Sequence, residues 1–158
     1  MDLIHLWLFL HIAVIFTAIT VGYGVTLTMQ LAYRSGQVGV LRGVGFVAGK
    51  LGPIVPPLFI VGGIFGLLTA LATGTDLLAP WLLIAYTGFV IAMLIGIFET
   101  APTGRKLGPM LMAADVTQPI PAGIRELFDS PRARWLLVID VLIPFILVFD
   151  MVVKPFSS

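Results

Sequence analysis

Four long apolar runs restrict the fold of this 158-residue chain more than any other feature. They cover residues 3–29, 53–73, 77–100 and 135–153. Each reaches the roughly 20 apolar residues that a helix needs to cross a hydrocarbon core of about 30 Å. Charged residues make up 11% of the chain, against about 25% in an average soluble domain. We therefore predict an all-α polytopic membrane protein, a four-helix transmembrane bundle that forms a single domain.

The basic residues predict how this bundle is oriented. The chain has nine Lys and Arg residues, and all but Lys154 lie in the connections 34–52 and 101–134, which follow the first and third runs. Cytoplasmic loops of membrane proteins carry an excess of Lys and Arg. We therefore expect both connections in the cytoplasm and both termini outside, an N-out/C-out arrangement. The net charge of +1 gives no reason to expect a nucleic-acid partner.

The two basic connections also contain apolar residues at helix-like spacing. Val38, Leu41 and Val44 recur at every third position of the first connection, and the second has short amphipathic stretches around Met110 and Leu127. Two interpretations stay open. The stretches are amphipathic helices on the cytoplasmic membrane surface, or they are ordinary loops that contain some apolar residues.

Small residues recur at every fourth position within three of the runs. Such stripes let helix backbones approach closely, so they predict helix contacts; a glycine-lined permeation path is the alternative. The glycines that we expect at such contacts are Gly22, Gly62, Gly66, Gly88 and Gly96.

Pro144 lies in the middle of the fourth run. A proline there leaves the carbonyl of Asp140, four residues earlier, without its helical N–H donor, and a kink is expected beside the carboxylate. Counting about 1.5 Å per helical residue places Tyr23 of the first run near the depth of Asp140.

Few ionisable side chains fall inside the runs. Charged groups at membrane depth are costly, and they mark either a function or a structural ion pair. Glu99 ends the third run shortly before Arg105 and Lys106, which are its expected ion-pair partners. The ionisable residues within the runs are His5, His11, Glu99, Asp140 and Asp150.

His11 has the most specific chemistry of these side chains, because a neutral imidazole can ligate haem iron. Its other ring nitrogen needs an acceptor, for which Asp150 at a similar depth is the candidate. Met151 on the fourth run, or a second His11 from a homodimer, completes the ligand pair of a haem b site. The alternative is a histidine hydrogen-bonded inside the bundle. We predict no catalytic residue and no metal ligand set, since the chain has no cysteine and no motif of either kind.

Two short segments resemble a group of known membrane proteins. Residues 10–14 (LHIAV), in a run that leads to Tyr33 and Arg34, and residues 150–156 (DMVVKPF) carry the resemblance. They are similar to a family of small bacterial integral membrane proteins with four predicted spans and a domain of unknown function. The chain is also distantly similar to CopD-type copper-resistance domains and to HemJ-type protoporphyrinogen oxidases. The resemblance implies a bacterial cytoplasmic (inner) membrane location, and the HemJ-type proteins imply His11 as a haem ligand.

Three functional hypotheses follow. The first is a non-catalytic membrane protein, a structural or accessory component of a homo-oligomer or larger complex in the lipid bilayer, because each polar residue within the runs has a structural explanation. It predicts co-purification with a partner, and it makes an enzyme the less expected outcome. The second is a haem- or metal-binding protein that uses His11. The third is a small transporter or proton-handling protein that uses Asp140 and Asp150.

Overall fold

The computed structural model describes residues 2–154, and within that range every named element is a helix. A 3-10 turn, Gly52–Ile54, joins α2 to α3, and a π-helical turn, Gly96–Thr100, joins α4 to α5. The predicted all-α fold is confirmed. The α-helices are α1 (Leu3–Arg34), α2 (Val38–Leu51), α3 (Val55–Ala72), α4 (Pro80–Ile95), α5 (Ala101–Ala113), α6 (Ala122–Asp129) and α7 (Pro131–Val153).

Four continuous helical segments are long and apolar enough to cross a membrane. They are Leu3–Arg34, Val38–Ala72, Pro80–Ala113 and Pro131–Val153. Their surfaces carry bulky apolar side chains that protein does not cover, such as Phe16 at 69% exposure. Lipid tails accept such side chains as readily as a protein core does. The prediction of four helices able to cross a membrane is confirmed.

The bundle has two ends of different character. The terminal end holds the start of α1, the end of α7 and the turn between α3 and α4. The basic end holds the last turns of α1 together with α2, α5, α6 and the start of α7. At the terminal end, Asp2 caps α1 by accepting a hydrogen bond from the His5 N–H at 3.0 Å. Gly74, with φ +67°, reverses the chain after α3 because glycine adopts this backbone conformation without strain.

The helices extend beyond the apolar runs at the basic end. α1 continues to Arg34 rather than stopping at Met29, and most of the predicted connection 34–52 is the helix α2. The connection 101–134 contains α5 and α6. Hydropathy marks the residues that lipid accepts, whereas helix length also depends on packing against neighbouring helices. The apolar runs therefore located the helices but not their ends.

An apolar core, which we call the basic-end core, explains why these extra helices form. Val38 and Leu41 of α2 are fully buried in it, and Ile124 of α6 is 1% exposed. The apolar faces of α2, α5 and α6 therefore pack on one another, so the amphipathic stretches are helices and not ordinary loops, and their location at the membrane surface stays a prediction. The buried members of this core are Ala32, Val38, Leu41, Leu107, Leu111, Ile120 and Ile124.

Arg42 links α2 to the end of α5 through hydrogen bonds. Its Nε donates to the carbonyl of Leu111 at 2.8 Å, and its guanidinium also donates to the carbonyl of Ala114. The last carbonyls of a helix have no partner within that helix. Arg42 satisfies two of them from another element, so a basic residue of the predicted connection serves a structural purpose.

Glycines set the closest helix approaches inside the bundle. α1 packs along α3, and α4 packs along α7. A Cβ added to Gly62 would lie 2.5 Å from Ile15 Cδ1, and one added to Gly88 would lie 2.6 Å from Leu147 Cδ2. Side-chain atoms occupy the space that a methyl group would need, so a larger residue at either position would displace Ile15 or Leu147.

The other glycines of the stripes differ in their surroundings. A Cβ on Gly66 would meet the His11 ring at 2.8 Å, and one on Gly22 would make an ordinary contact with Val55 at 3.6 Å. Gly96 has no neighbour within 4 Å of its Cβ position. It opens the π-helical turn, so its stripe position does not place it at a helix contact.

Candidate functional site

Asp150 is the only polar side chain in residues 2–154 that is almost fully buried, with 2% of its surface exposed. Within the same residues, neither oxygen of its carboxyl group has a hydrogen-bond partner. Buried polar groups in proteins are nearly always hydrogen-bonded, because leaving one unpaired costs about 1–3 kcal/mol. The side chain of Asp150 therefore stands out from every other polar group that the structure describes.

The position of Asp150 along α7 follows from its neighbours. Leu147, three residues earlier, packs on Gly88 of α4. Three helical residues rise about 4.5 Å, so Asp150 lies nearly one turn closer to the terminal end than this contact does. The next turn holds Lys154, whose amine lies 5.1 Å above the Trp81 ring at the start of α4. Asp150 is thus inside the bundle, close to its terminal end.

A second carboxyl group lies deeper on the same helix. Asp140 precedes Asp150 by ten residues, which is about 15 Å along the axis. Its side chain is half-buried, whereas that of Asp150 is buried. α7 therefore carries one carboxyl group in each half of its length.

The backbone of α7 near Asp140 is bonded to α1. The hydroxyl of Tyr23 donates to the carbonyl of Val141 at 2.6 Å and approaches the carbonyl of Asp140 at 3.1 Å. Pro144 has no N–H for the Asp140 carbonyl, and Tyr23 supplies a donor in its place. The depth of Tyr23 agrees with the count along the first run. This contact holds α1 and α7 together at mid-bundle.

His11 faces α3 rather than α7. Its Nδ1 lies 2.7 Å from the carbonyl oxygen of Gly62, and its ring fills the space above Gly66. A carbonyl oxygen can only accept, so in a neutral imidazole Nδ1 carries the proton and Nε2 keeps a lone pair. The orienting acceptor of His11 is therefore Gly62 and not Asp150, whose oxygens accept no hydrogen bond from the described residues. Counting depth along two helices could not give the direction in which each side chain points.

Met151 and His5 lie away from this interior. Met151 follows Asp150 by one residue, a rotation of about 100°, and 36% of its surface is exposed. His5 is exposed and sits against Asp2, with its Nδ1 2.5 Å from the Asp2 carboxylate. Hydrogen bonds from the His5 backbone N–H and ring hold the pKa of Asp2 below its ordinary value. Across residues 2–154, no three His, Asp or Glu side chains gather into a metal site.

Glu99 makes an ion pair with Arg132 at the basic end. The expected partners were Arg105 and Lys106, which the structure instead leaves exposed on α5. The π-helical turn that contains Glu99 is followed directly by α5, which carries Arg105 and Lys106 away from it, whereas the start of α7 brings Arg132 alongside. An ion pair was predicted from the sequence, but its partner depended on how two distant helices meet.

Sequence reasoning missed two features of this interior. One is the hydrogen bond between His11 and the Gly62 carbonyl, and the other is the lack of a hydrogen-bond partner for the Asp150 carboxyl group within residues 2–154. The small-residue stripe at Gly62 and Gly66 did indicate close approach of another helix. It could not indicate that the approaching side chain would be an imidazole.

No protein-family model, no curated protein and no solved structure matches the chain. The function is therefore argued from the side chains themselves.

Proposed function

We propose that this protein is a small proton-handling membrane protein in which the carboxyl group of Asp150 takes up and releases a proton inside the bundle. The observation that supports this function is the burial of Asp150 without a hydrogen bond to either oxygen. Ionisable residues inside membrane spans mark ion and proton pathways more often than they serve packing alone.

The physical argument concerns the cost of charge. An ionised carboxylate that is removed from water and has no partner is unfavourable by many kcal/mol, so such a group is held neutral by a proton. A small rearrangement that admits water at the nearby terminal end would release the proton. Asp150 then changes between a neutral and a charged form according to its access to water. This alternation is the elementary step of a proton relay.

The carboxyl group of Asp140 is a second group that can accept the proton. It lies about 15 Å from Asp150 along α7, in the half of the helix that leads to the basic end. The helix beside it lacks one backbone hydrogen bond at Pro144, and the Tyr23 hydroxyl bonds to the carbonyls of Asp140 and Val141. Water molecules admitted to the bundle would carry the proton over the distance between the two carboxyl groups.

We also propose that the bundle sits N-out/C-out in a bacterial cytoplasmic membrane. The support is the excess of Lys and Arg at the basic end, which the positive-inside rule assigns to the cytoplasm. Asp150 then lies close to the outer face, and Asp140 lies on the cytoplasmic side of it. A proton entering from outside would meet Asp150 first.

Proton flux into liposomes tests this function. The purified protein is reconstituted with a pH-sensitive dye inside, and a potassium gradient with valinomycin drives protons inward. We expect the wild-type flux to exceed that of protein-free liposomes and Asp150→Asn to abolish the excess, because asparagine keeps the shape but cannot carry the proton. Asp76→Asn is the matched control, since Asp76 is an exposed residue of the turn at the terminal end.

Two results would overturn the proposal: a wild-type flux equal to that of protein-free liposomes, or an Asp150→Asn variant with full flux. Infrared spectroscopy gives an independent measurement on the same samples. At neutral pH we expect the C=O stretch of a protonated carboxylic acid in the wild-type protein and in Asp76→Asn, and a weaker stretch in Asp150→Asn, in which only Asp140 can contribute.

Haem binding at His11 is the second candidate function, and one observation favours it. Histidines that ligate metals usually donate the other ring N–H to a carbonyl or carboxylate, and Nδ1 of His11 has such a partner in Gly62. This leaves the lone pair of Nε2 for an iron atom. The accessory-component hypothesis remains a prediction. Its premise is that each polar residue within the spans has a structural partner. Tyr23 and Glu99 have such partners, whereas the Asp150 carboxyl group has no hydrogen-bond partner within residues 2–154.

A further inference from the structure

A shallow depression, open to its surroundings, lies on one face of the first two turns of α7, at the basic end. It is lined by Pro131, Arg134, Trp135 and Val138 and has a volume of about 350 Å³. These residues follow the spacing i, i+3, i+4, i+7, so they share one face of the helix. Trp135 is 66% exposed and Val138 is 44% exposed, and we call this feature the α7 groove.

The groove lies where the helix passes from charged to apolar sequence. Arg132 and Arg134 come just before the apolar run that starts at Trp135. Trp side chains concentrate at the level of lipid headgroups, where one part of the ring is wet and the other apolar. The α7 groove is therefore at headgroup depth, with a guanidinium on one side and an indole on the other.

The basic end as a whole is positively charged. The segments 34–52 and 99–134 together contain eight Lys and Arg and four Asp and Glu, a net charge of +4. Glu99 forms an ion pair with Arg132, and Asp129 accepts a hydrogen bond from the Tyr33 hydroxyl. The exposed Arg134 has no ion-pair partner within residues 2–154. An anion at the groove would thus meet an available guanidinium.

An apolar stripe continues from the groove into the membrane. Val138, Leu142 and Phe145 follow one another at helical spacing on the same face of α7. Leu142 is 50% exposed and Phe145 is 66% exposed. The face therefore offers a positive group at its start and a long apolar surface beyond it.

We propose that the α7 groove binds an anionic phospholipid, whose headgroup phosphate is held by Arg134 and whose acyl chain lies along Val138, Leu142 and Phe145. Guanidinium groups match phosphate oxygens in geometry as well as charge. Trp135 packs beside the glycerol region between these two parts. A free phosphate would use only Arg134, whereas a phospholipid also uses the apolar stripe, so the two-part surface fits a lipid.

Lipid retention measured by native mass spectrometry tests this site. The protein is purified in mild detergent with equal amounts of phosphatidylglycerol and phosphatidylcholine, and the bound lipids are counted. We expect a preference for phosphatidylglycerol that falls about fivefold in Arg134→Gln, because one basic residue near an anionic lipid contributes roughly that factor. Arg105→Gln is the matched control, since Arg105 is exposed on α5 outside the α7 groove.

Trp135→Ala separates the apolar part of the site from the charged part. This variant should lose both lipids to a similar extent, whereas Arg134→Gln should lose only phosphatidylglycerol. An equal loss of preference in Arg134→Gln and Arg105→Gln would overturn the site, because net charge alone would then attract the lipid. Displacement of the bound lipid by inorganic phosphate would also overturn it. All three substituted residues are exposed, and each variant should elute from gel filtration at the wild-type volume.

Discussion

At the residue scale, three acidic side chains within the four long apolar segments show that the surroundings of a carboxyl group determine its role. Glu99 lies at the basic end and forms an ion pair with Arg132. Asp140 is half-buried beside the backbone that Pro144 interrupts. Asp150 is buried without a hydrogen bond. The same chemical group is thus structural in the first case, and in the last case it is a candidate for proton transfer.

His11 carries a prediction that belongs to this scale. If its Nε2 ligates haem b, the protein purified in mild detergent shows a Soret absorption band, and His11→Ala removes it because the iron loses its ligand. His5→Ala should leave the band intact, since His5 is exposed and paired with Asp2. Oxidised and reduced absorption spectra of the three proteins provide the measurement. A band that persists in His11→Ala would assign the haem to other ligands, and a flat wild-type spectrum would exclude this candidate.

At the element scale, the contact between two helices determines the direction in which the His11 imidazole points. α1 lies so close to α3 that the His11 ring covers Gly66 and reaches the carbonyl of Gly62. The close approach requires glycine on α3, and the hydrogen bond requires the approach. The stripe of small residues and the orientation of His11 therefore have one cause.

Replacing Gly66 with alanine tests this contact between elements. The added Cβ would lie 2.8 Å from Nδ1 of His11, so the ring must move and its hydrogen bond to Gly62 is lost. We expect a loss of about 1–3 kcal/mol in the free energy of unfolding, as for other overpacked sites. Denaturation followed by circular dichroism in detergent measures it.

Gly24→Ala is the matched control for this prediction. Gly24 lies in α1 with nothing within 4 Å of its Cβ position. Alanine is favoured over glycine within a helix by roughly 1 kcal/mol, so this variant should be neutral or slightly more stable. Equal stability of the Gly66→Ala and Gly24→Ala variants would contradict the close packing of α1 on α3.

The whole molecule combines a lipid-facing bundle with a well-packed basic-end core. Within the bundle, the surfaces of α1, α3, α4 and α7 remain largely apolar and are not covered by protein. At the basic end, α2, α5 and α6 bury their apolar faces against each other and against the last turns of α1. The outer surface of the bundle therefore suits contact with lipid, whereas the basic-end core is formed by the protein alone.

The orientation of the whole molecule is tested with single cysteines, since the natural chain has none. We expect a membrane-impermeant maleimide to label Asp76→Cys in intact cells, because the turn at the terminal end faces outward in the proposed orientation. Arg105→Cys should be labelled only after the membrane is permeabilised, because that orientation places the basic end in the cytoplasm. Mass-tagged maleimide followed by gel electrophoresis reports both. The reverse pattern would invert the proposed orientation and place Asp150 near the cytoplasmic face.

Residue patterns along the chain were enough to predict helices long and apolar enough to cross a membrane, their number and roughly where they lie. They also located the interruption at Pro144 and the glycine faces at Gly62 and Gly88. These features are local, because apolar run length, backbone hydrogen bonding and helical periodicity depend on neighbouring residues in the chain.

Which groups meet depends instead on how the helices pack against one another. In the folded chain, His11 bonds to the Gly62 carbonyl and Glu99 forms an ion pair with Arg132. The basic-end core is formed by segments that were predicted as connections. Helix packing also leaves the carboxyl group of Asp150 buried and unpaired within residues 2–154. Each of these facts depends on the rotation of one helix about its axis relative to another. Helices whose packing faces and lipid-facing faces are both apolar do not encode that rotation in their hydropathy, so it emerges only when the helices pack.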